Sequence, residues 1–440
     1  MKSNQRKIAR WVFVITTVLS SIQVYAASKG IVNTYLFEEI DVTLDAEPGI
    51  RIEVEHSWGN IEIRQGENTQ IVIHGEKRAG SRTTDIAQNI LDNMKIIAER
   101  KGDTVSIRTV YPDELFKENN TNHFSLSYVI EIPEQVTLEI ENSYGNIQLQ
   151  SLSGDFTVRN QHGDVSTSEL VGGIRLNNKY GSLSVERIIG DVVLSNEHGS
   201  ITCADISNGV VLENAYGPVV VLNAGKNVKI RNSHGALSVE KVGGHADLET
   251  EYESIDCNDI GGTADIRNTH GPVTVRNIKN NVTVRGGFKT IIADDIDGDF
   301  EAQNQHGGVT ATNITGNIDI KTSFGPVAID TVGGDIGVVN QQGSIIVTGI
   351  MEQAEVSKQI ILKTSHDSIR LLLPETASAT VTAGTLQGHI TYDFPILMNP
   401  RKNNISKYSE HFTGTIGDGK DNIELENTYG SIYIEKLINP

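Results

Sequence analysis

The chain has 440 residues, with 56 acidic against 37 basic side chains and a formal charge of −19 at pH 7. A surface this acidic repels phosphate backbones, which argues against a nucleic-acid partner, and it keeps strand-rich chains apart in solution. There are only two cysteines, Cys203 and Cys257. An exported protein could pair them, so the repeat described below has to decide.

The N-terminus sets the compartment. Lys2, Arg6, Lys7 and Arg10 precede an apolar stretch from Trp11 to Val24, and Val24-Tyr25-Ala26 offers a cleavage point after Ala26 or Ala27. That stretch is shorter than the roughly 20 residues of a membrane helix, so residues 1–26 are expected to be a signal peptide. No cysteine follows it for lipid attachment, and the terminal run Glu435 to Pro440 carries no apolar anchor. The mature chain, at −23 once four basic residues are lost, is expected to be soluble after export, with no membrane insertion.

Residues 27–141 are expected to form an N-terminal cap of strands with one helix. Ile50-Arg51-Ile52-Glu53-Val54 and Ile61-Glu62-Ile63 alternate like strands around Trp58-Gly59, and strands resume at Val105 to Ile107 and Ser127 to Ile132. Between Thr84 and Glu99, Ile86, Ile90, Leu91, Met94 and Ile97 have helical spacing, with Thr84 or Asp85 as the N-cap. Asp113 to Asn122 reads as a polar loop.

Residues 142–351 repeat every 18 positions. The markers are Tyr144, His162, Tyr180, His198, Tyr216, His234, Tyr252, His270, Phe288, His306, Phe324 and then Gln342. Glycine usually follows the marker, and asparagine usually stands two before it, as at Asn142, Asn160 and Asn178. With the marker as position one, positions four, six, nine, thirteen and fifteen are aliphatic or small, and position eleven is mostly glycine. Two alternating pairs separated by glycine-rich turns make short half-buried strands, and short strands repeated at fixed length make a solenoid. The expected fold is all-β: a single-stranded β-helix of 18-residue coils about 4.8 Å apart. The asparagines are expected to form an amide ladder between coils or to fit their own turns. Cys203 and Cys257 both occupy position six, three coils and roughly 14 Å apart, beyond the reach of a disulfide. Residues 352–440 hold degenerate coils, at Ser365-His366-Asp367-Ser368-Ile369 and Asn427-Thr428-Tyr429-Gly430-Ser431-Ile432, with an irregular loop from Pro395 to Glu410.

The run Tyr128-Val129-Ile130-Glu131-Ile132-Pro133, then Leu138 to Ile147, then Leu371-Leu372-Leu373-Pro374, Gly388-His389-Ile390, Gly417-Asp418-Gly419 and Tyr429-Gly430-Ser431-Ile432, resembles the bacterial "putative adhesin" family of unknown function. The resemblance implies an exported β-helix in the cell envelope and brings no catalytic residues.

Candidate chemistry is sparse. With an 18-residue coil the histidines sit on alternate coils, roughly 9.6 Å apart, too far to share a zinc ion held at about 2 Å; a 36-residue coil would instead bring them to strand spacing as a titrating stripe. The Tyr and Phe markers could stack on sugar rings or simply form a structural ladder. Asp155, Asp191, Asp299 and Asp335 lack the calcium-binding nonapeptide and read as solvated turns. No nucleophile elbow, zinc-protease or phosphate-loop motif occurs. No metal or cofactor is expected. The eleven aromatic and imidazole markers are the candidate binding face, for a polymeric or surface-displayed ligand such as a glycan or an envelope protein. A polysaccharide-cleaving β-helix enzyme and a self-assembling structural element are the alternatives, and the sequence decides neither oligomeric state nor periplasm against cell surface.

Overall fold

The computed structural model describes residues 34–116, 122–351, 356–399 and 408–437. The expected leader, residues 1–26, lies outside them. The chain divides into two compact units with the boundary between Asn208 and Gly209, and each is an all-β solenoid.

Unit 1 contains, among its described residues, strands β1 (Thr34–Asp45), β2 (Ile50–Glu55), β3 (Ile61–Gln65), β4 (Gln70–Ser81), helix α1 (Thr84–Asn93), β5 (Lys95–Lys101), β6 (Thr104–Val110), β7 (His123–Ile132), β8 (Gln135–Tyr144), β9 (Ile147–His162), β10 (Val165–Val171), β11 (Ile174–Tyr180), β12 (Leu183–Ile189), β13 (Val192–His198) and β14 (Ile201–Ile206). Its register is 18 residues on both sides of a strand. Val165 lies opposite Ile147 and Leu183, and Ile174 opposite Phe156 and Val192. Unit 2 keeps the same offset, with Leu237 opposite Ile255 and Val273 opposite Ile291. One coil is therefore 18 residues, and the 36-residue alternative is excluded. Parallel stacking in register places each buried aliphatic side chain over its own equivalent, so neighbouring coils supply the apolar contacts that one coil lacks.

Positions six and nine both point inward, which a simple period of two forbids. Position eight resolves the conflict. From Ser151, Glu169 and Arg187 through Asp259 and Asn277 to Thr331, eleven non-glycine residues at this position have φ between 53 and 62°, and Gly349 follows at 61°. Glu169, for example, is skipped by the pairing of Ser168 with Glu186 and Leu170 with Ile188. The left-handed step resets the alternation, so the next apolar side chain again faces the core.

The end of unit 1 does not stack in chain order. Strand β2 pairs in parallel with both β6 and β8, and β3 with both β7 and β9. The coil made by β6 and β7 is thus outermost, and antiparallel strands close it: β5 on β6, β4 on β7 and β1 on β4. Reversed strands end a parallel stack that would otherwise offer its edge to another chain. Unit 2 uses the same device. Gln359–Thr364 and Ile369–Leu373 pair with Asp421–Asn427 and Ile432–Lys436, which in turn pair with Ala379–Thr385 and Ile390–Tyr392. Glu410–Ile416 then runs antiparallel on Ala379–Thr385. Within the expected loop Pro395 to Glu410, Leu397–Met398 forms a short antiparallel pairing with Thr415 and Gly414.

The helix is shorter than its apolar spacing implied. The Thr83 side chain, not Thr84 or Asp85, accepts from the Ile86 N–H, and Met94 ends the helix by donating to Ile90 and Leu91 carbonyls. Beyond it Lys95–Lys101 pairs with β6, so Ile97 belongs to a hairpin; the sheet edge outcompetes one further helical turn. Ala87, Ile90 and Leu91 pack with Leu36, Ala79, Met94 and Leu115.

Candidate functional site

Each marker stands at the corner that closes the strand carrying position thirteen: up to His234 it is that strand's last residue, and from Tyr252 to Gln342 it follows the strand. In unit 1 the rings of Trp58, Tyr144, His162, Tyr180 and His198 stack in sequence, with centroids 4.1 to 4.9 Å apart and planes within 21°. In unit 2 the rings of Tyr216, His234, Tyr252, His270, Phe288, His306 and Phe324 do the same at 4.7 to 5.1 Å, within 22°. The fold thus brings the expected markers into ladders, one in each unit. Toward the end of unit 2, His366 and Tyr429 continue the motif at 4.9 Å with a tilt of 39°.

Trp58 was not among the expected markers, though a signal for it exists. His56-Ser57-Trp58-Gly59-Asn60-Ile61 parallels Asn142-Ser143-Tyr144-Gly145-Asn146-Ile147, one coil broken from the rhythm by the inserted cap. Trp58 lies flat on Tyr144, and its Gly59 N–H donates to the Tyr144 carbonyl at 2.8 Å.

This stacking decides what the rings can do. Both faces of an interior ring are covered by its neighbours, so the sugar-stacking platform considered above has no free face there. What remains outward is the ring edge. Tyr144 and Tyr180 are 39% and 38% exposed, and Tyr216, Tyr252, Phe288 and Phe324 are 46 to 48% exposed. Every second ring is imidazole, so histidine never adjoins histidine. Among the described residues no group of three His, Cys, Asp or Glu is placed to hold a metal ion.

The asparagines two before the markers are buried beneath the corner. They do not bond amide to amide. The Asn160 amide nitrogen donates to the carbonyls of Gly145 and Gly163, and Asn178 to those of Gly163 and Gly181, all at 3.2 Å. In unit 2 Asn232 does the same with Gly217 and Gly235 at 3.0 Å. Each of these three asparagines thus ties its own corner to the preceding coil by satisfying two backbone carbonyls, as burial requires. Where threonine replaces it, Thr250 Oγ1 still donates to the Gly235 carbonyl.

Two of the position-twelve acids are also more than solvated turns. Asp299 Oδ1 accepts from the Asn317 N–H and Asp335 Oδ1 from the Gln359 N–H, at 2.7 and 2.8 Å. Cys203 and Cys257 are free and buried in the core, and burial pushes each thiol up to about 12. In unit 1 His56 takes the asparagine position of its coil and bonds Thr109 Oγ1 through Nδ1 at 2.8 Å. Burial lowers it from 6.5 to about 4, only partly offset by the backbone of Leu126 and Trp58.

Solved structures similar to this chain include a Parabacteroides merdae protein described as a putative adhesin, at 11% identity and a TM-score of 0.27, covering 72% of this chain and 96% of that one. A Clostridium sporogenes protein described as a putative cell adhesion protein matches at 9% identity and a TM-score of 0.17, covering 91% of this chain and all of that one. A Parabacteroides distasonis protein described as a putative lipid binding protein matches at 12% and 0.25, covering 68% and 96%. No curated protein matches the sequence. Residues 50–435 match the Toastrack DUF4097 family, and over that span, which takes in nearly all of the described coils, the chain belongs to it.

Proposed function

We propose that the chain is an exported, non-enzymatic binding scaffold that engages a polymeric or surface-displayed ligand through repeated contacts along the ring edges of its ladders. The observation that carries this reading is the ladder itself: the same exposed edge recurs on every coil, and from Tyr144 to Gln342 no insertion breaks the 18-residue rhythm. Catalysis needs unlike groups converging on one point, whereas this array repeats like groups in a line. Repetition turns weak single contacts into avidity when the ligand is itself extended. Export rests on the leader sequence, and no helix among the described residues is long and apolar enough to cross a membrane.

The test uses Tyr→Phe and His→Gln changes, which the corner already accommodates at Phe288, Phe324 and Gln342. Changed one at a time, then cumulatively, they are expected to weaken adhesion of the full chain to envelope material in small steps. Loss of a sugar-releasing activity through one substitution would replace the scaffold with an enzyme.

A further inference from the structure

Beside the ladder of unit 1 runs a groove of about 500 Å³ across the outer face of β3, β9, β10 and β12. Two rows of polar side chains form it. The first is Glu62, Gln148, Ser166 and Ser184, held directly opposite one another by the strand register. The second is Asn60, Asn146, Asp164 and Ser182 at the adjoining corner. The corner row is fixed by its own backbone: Asn60 Oδ1 accepts from the Asn146 N–H, Asn146 Oδ1 from Asp164 and Asp164 Oδ1 from Ser182, at 2.9, 2.9 and 2.7 Å. Those bonds use one atom of the Asn60, Asn146 and Asp164 side chains and orient the other, while the Ser182 hydroxyl accepts from that of Ser200 at 3.0 Å.

Three of the four side chains in the strand row are unused. Among the described residues, the side chains of Gln148, Ser166 and Ser184 make no hydrogen bond within the protein, whereas Glu62 pairs with Arg64. No lysine or arginine lines the groove, and it holds two carboxylates, so an anionic ligand is disfavoured. Amides, hydroxyls and carboxylates in parallel rows suit a ligand rich in hydroxyl donors. The rows advance by one coil, about 4.8 Å, close to the advance of one ring in an extended polysaccharide. Unit 2 lacks the feature. Its equivalent corner positions include Pro218, Pro272 and Pro326, and its strand row includes Val220, Ile292 and Ile346.

We propose that this groove of unit 1 is a binding site for a neutral glycan chain lying across the coils, one sugar ring to a coil. The site deepens the scaffold reading and rests on it, since it names the ligand class and places it beside the ladder.

The test is calorimetric titration of the full chain with cellohexaose and laminarihexaose as neutral probes and hexagalacturonate as the anionic one. At least one neutral hexasaccharide is expected to bind and hexagalacturonate is not. Ser166→Arg, which fills the groove and adds a charge to a half-buried position of the outer strand face, is expected to weaken binding at least about tenfold. Ser184→Ala, which removes only a hydroxyl, should weaken it by a smaller factor, and Thr310→Arg, at the equivalent strand position in unit 2, should leave it unchanged, with circular dichroism showing all three folded. No binding of either neutral probe, tighter binding of hexagalacturonate, or equal affinity in the Ser166→Arg protein overturns the site. If that happens while the cumulative Tyr→Phe and His→Gln series still loses adhesion, the groove fails and the ladder reading stands. If the groove variant loses the sugar and the ladder series loses nothing, the ladder reading fails and the site stands.

Discussion

The ladder corner is built in two ways. In unit 1 Gly145, Gly163, Gly181 and Gly199 have φ between 127 and 138°, and the glycine N–H donates forward to the next marker's carbonyl, as from Gly163 to Tyr180 at 2.8 Å. The oxygen of the buried asparagine is then left without a donor at Asn142, Asn160 and Asn178. In unit 2 beyond Gly217, no glycine after a marker has positive φ. The marker's own N–H donates back to the preceding coil in both units, as from Tyr144 to Ser57 and from His270 to Glu251, each at 2.8 Å, but at Gly271 and Gly343 the glycine N–H turns to the asparagine, as from Gly271 to Asn268 Oδ1 at 3.0 Å. At Asn268 and Asn340 the second corner satisfies that buried oxygen, although Asn304 Oδ1 stays without a donor, and throughout it relaxes the positive-φ constraint on the glycine. That is why Glu253 and Lys289 can stand after a marker in unit 2, each stacked between coils that carry glycine there. The same ring ladder survives both solutions, so the rings, not the corner backbone, are the common requirement.

The hardest test of this contrast exchanges the residues. Gly163→Glu forces a side chain onto a φ of 127° and sets its Cβ 2.2 Å from the Gly145 carbonyl oxygen. We expect a loss above about 4 kcal/mol, read as a fall in the urea midpoint and loss of strand signal. Glu253→Gly should cost about 1 kcal/mol or less, from backbone entropy alone. Equal losses from the two exchanges would mean that the corners do not differ as described.

How much of this was legible follows from what each feature needs. The 18-residue coil, the buried aliphatic positions and the marker ladder are properties of spacing, and spacing is what a sequence records. The roles of Asn160 and Asn178 were half legible: their regularity announced a structural part, but whether an amide meets another amide or two carbonyls depends on the corner's path. Trp58 was hidden because β4, α1, β5, β6 and β7 interrupt the repeat between its coil and the coil of Tyr144. The out-of-order coils at both ends could not be read at all, since pairing partners 63 residues apart, such as Thr364 and Asn427, leave no local mark. The polar groove was equally invisible. Its serines are unremarkable singly and acquire meaning only when the register sets them in a row.

His56 offers a second, intermediate test, because only unit 1 buries an imidazole at the asparagine position. Its folded value, about 4, lies below the ordinary 6.5, so the unfolded chain takes up a proton first as pH falls. Stability is therefore full above about pH 6.5, declines through the window down to about 4, and is flat below it for this group. The shift corresponds to roughly 3 kcal/mol. Protection factors against hydrogen exchange, corrected for the intrinsic rate at each pH, should fall at β2 and β6 between pH 7 and 4.5 while those of the coils of unit 2 hold. His56→Asn, which restores the residue other coils use, should flatten that dependence; an unchanged slope would assign the acid sensitivity elsewhere.

The smallest effect is expected where the two units agree, at position eight. Both hold non-glycine residues there in the left-handed region, and the coil has no alternative, since that step is what turns position nine inward. The conformation costs an ordinary L-residue roughly 1–2 kcal/mol, while asparagine and aspartate bear it more easily through local hydrogen bonding. The chain already favours those two types: Asp205, Asn223, Asp259, Asn277, Asp295 and Asn313 are six of its eleven non-glycine examples. The other five are Ser151, Glu169, Arg187, Lys241 and Thr331, of which Arg187 in unit 1 and Lys241 in unit 2 are the two basic ones. Their ion pairs, with Glu186 and Glu169 for Arg187 and with Glu240 for Lys241, are half exposed and contribute little. Arg187→Asn and Lys241→Asn should therefore each stabilise the protein, by about 0.5–1 kcal/mol and by similar amounts. Thermal melting of the single and double variants measures this directly. A gain in one unit and a loss in the other would show that the shared left-handed step, like the ladder corner, has two local solutions.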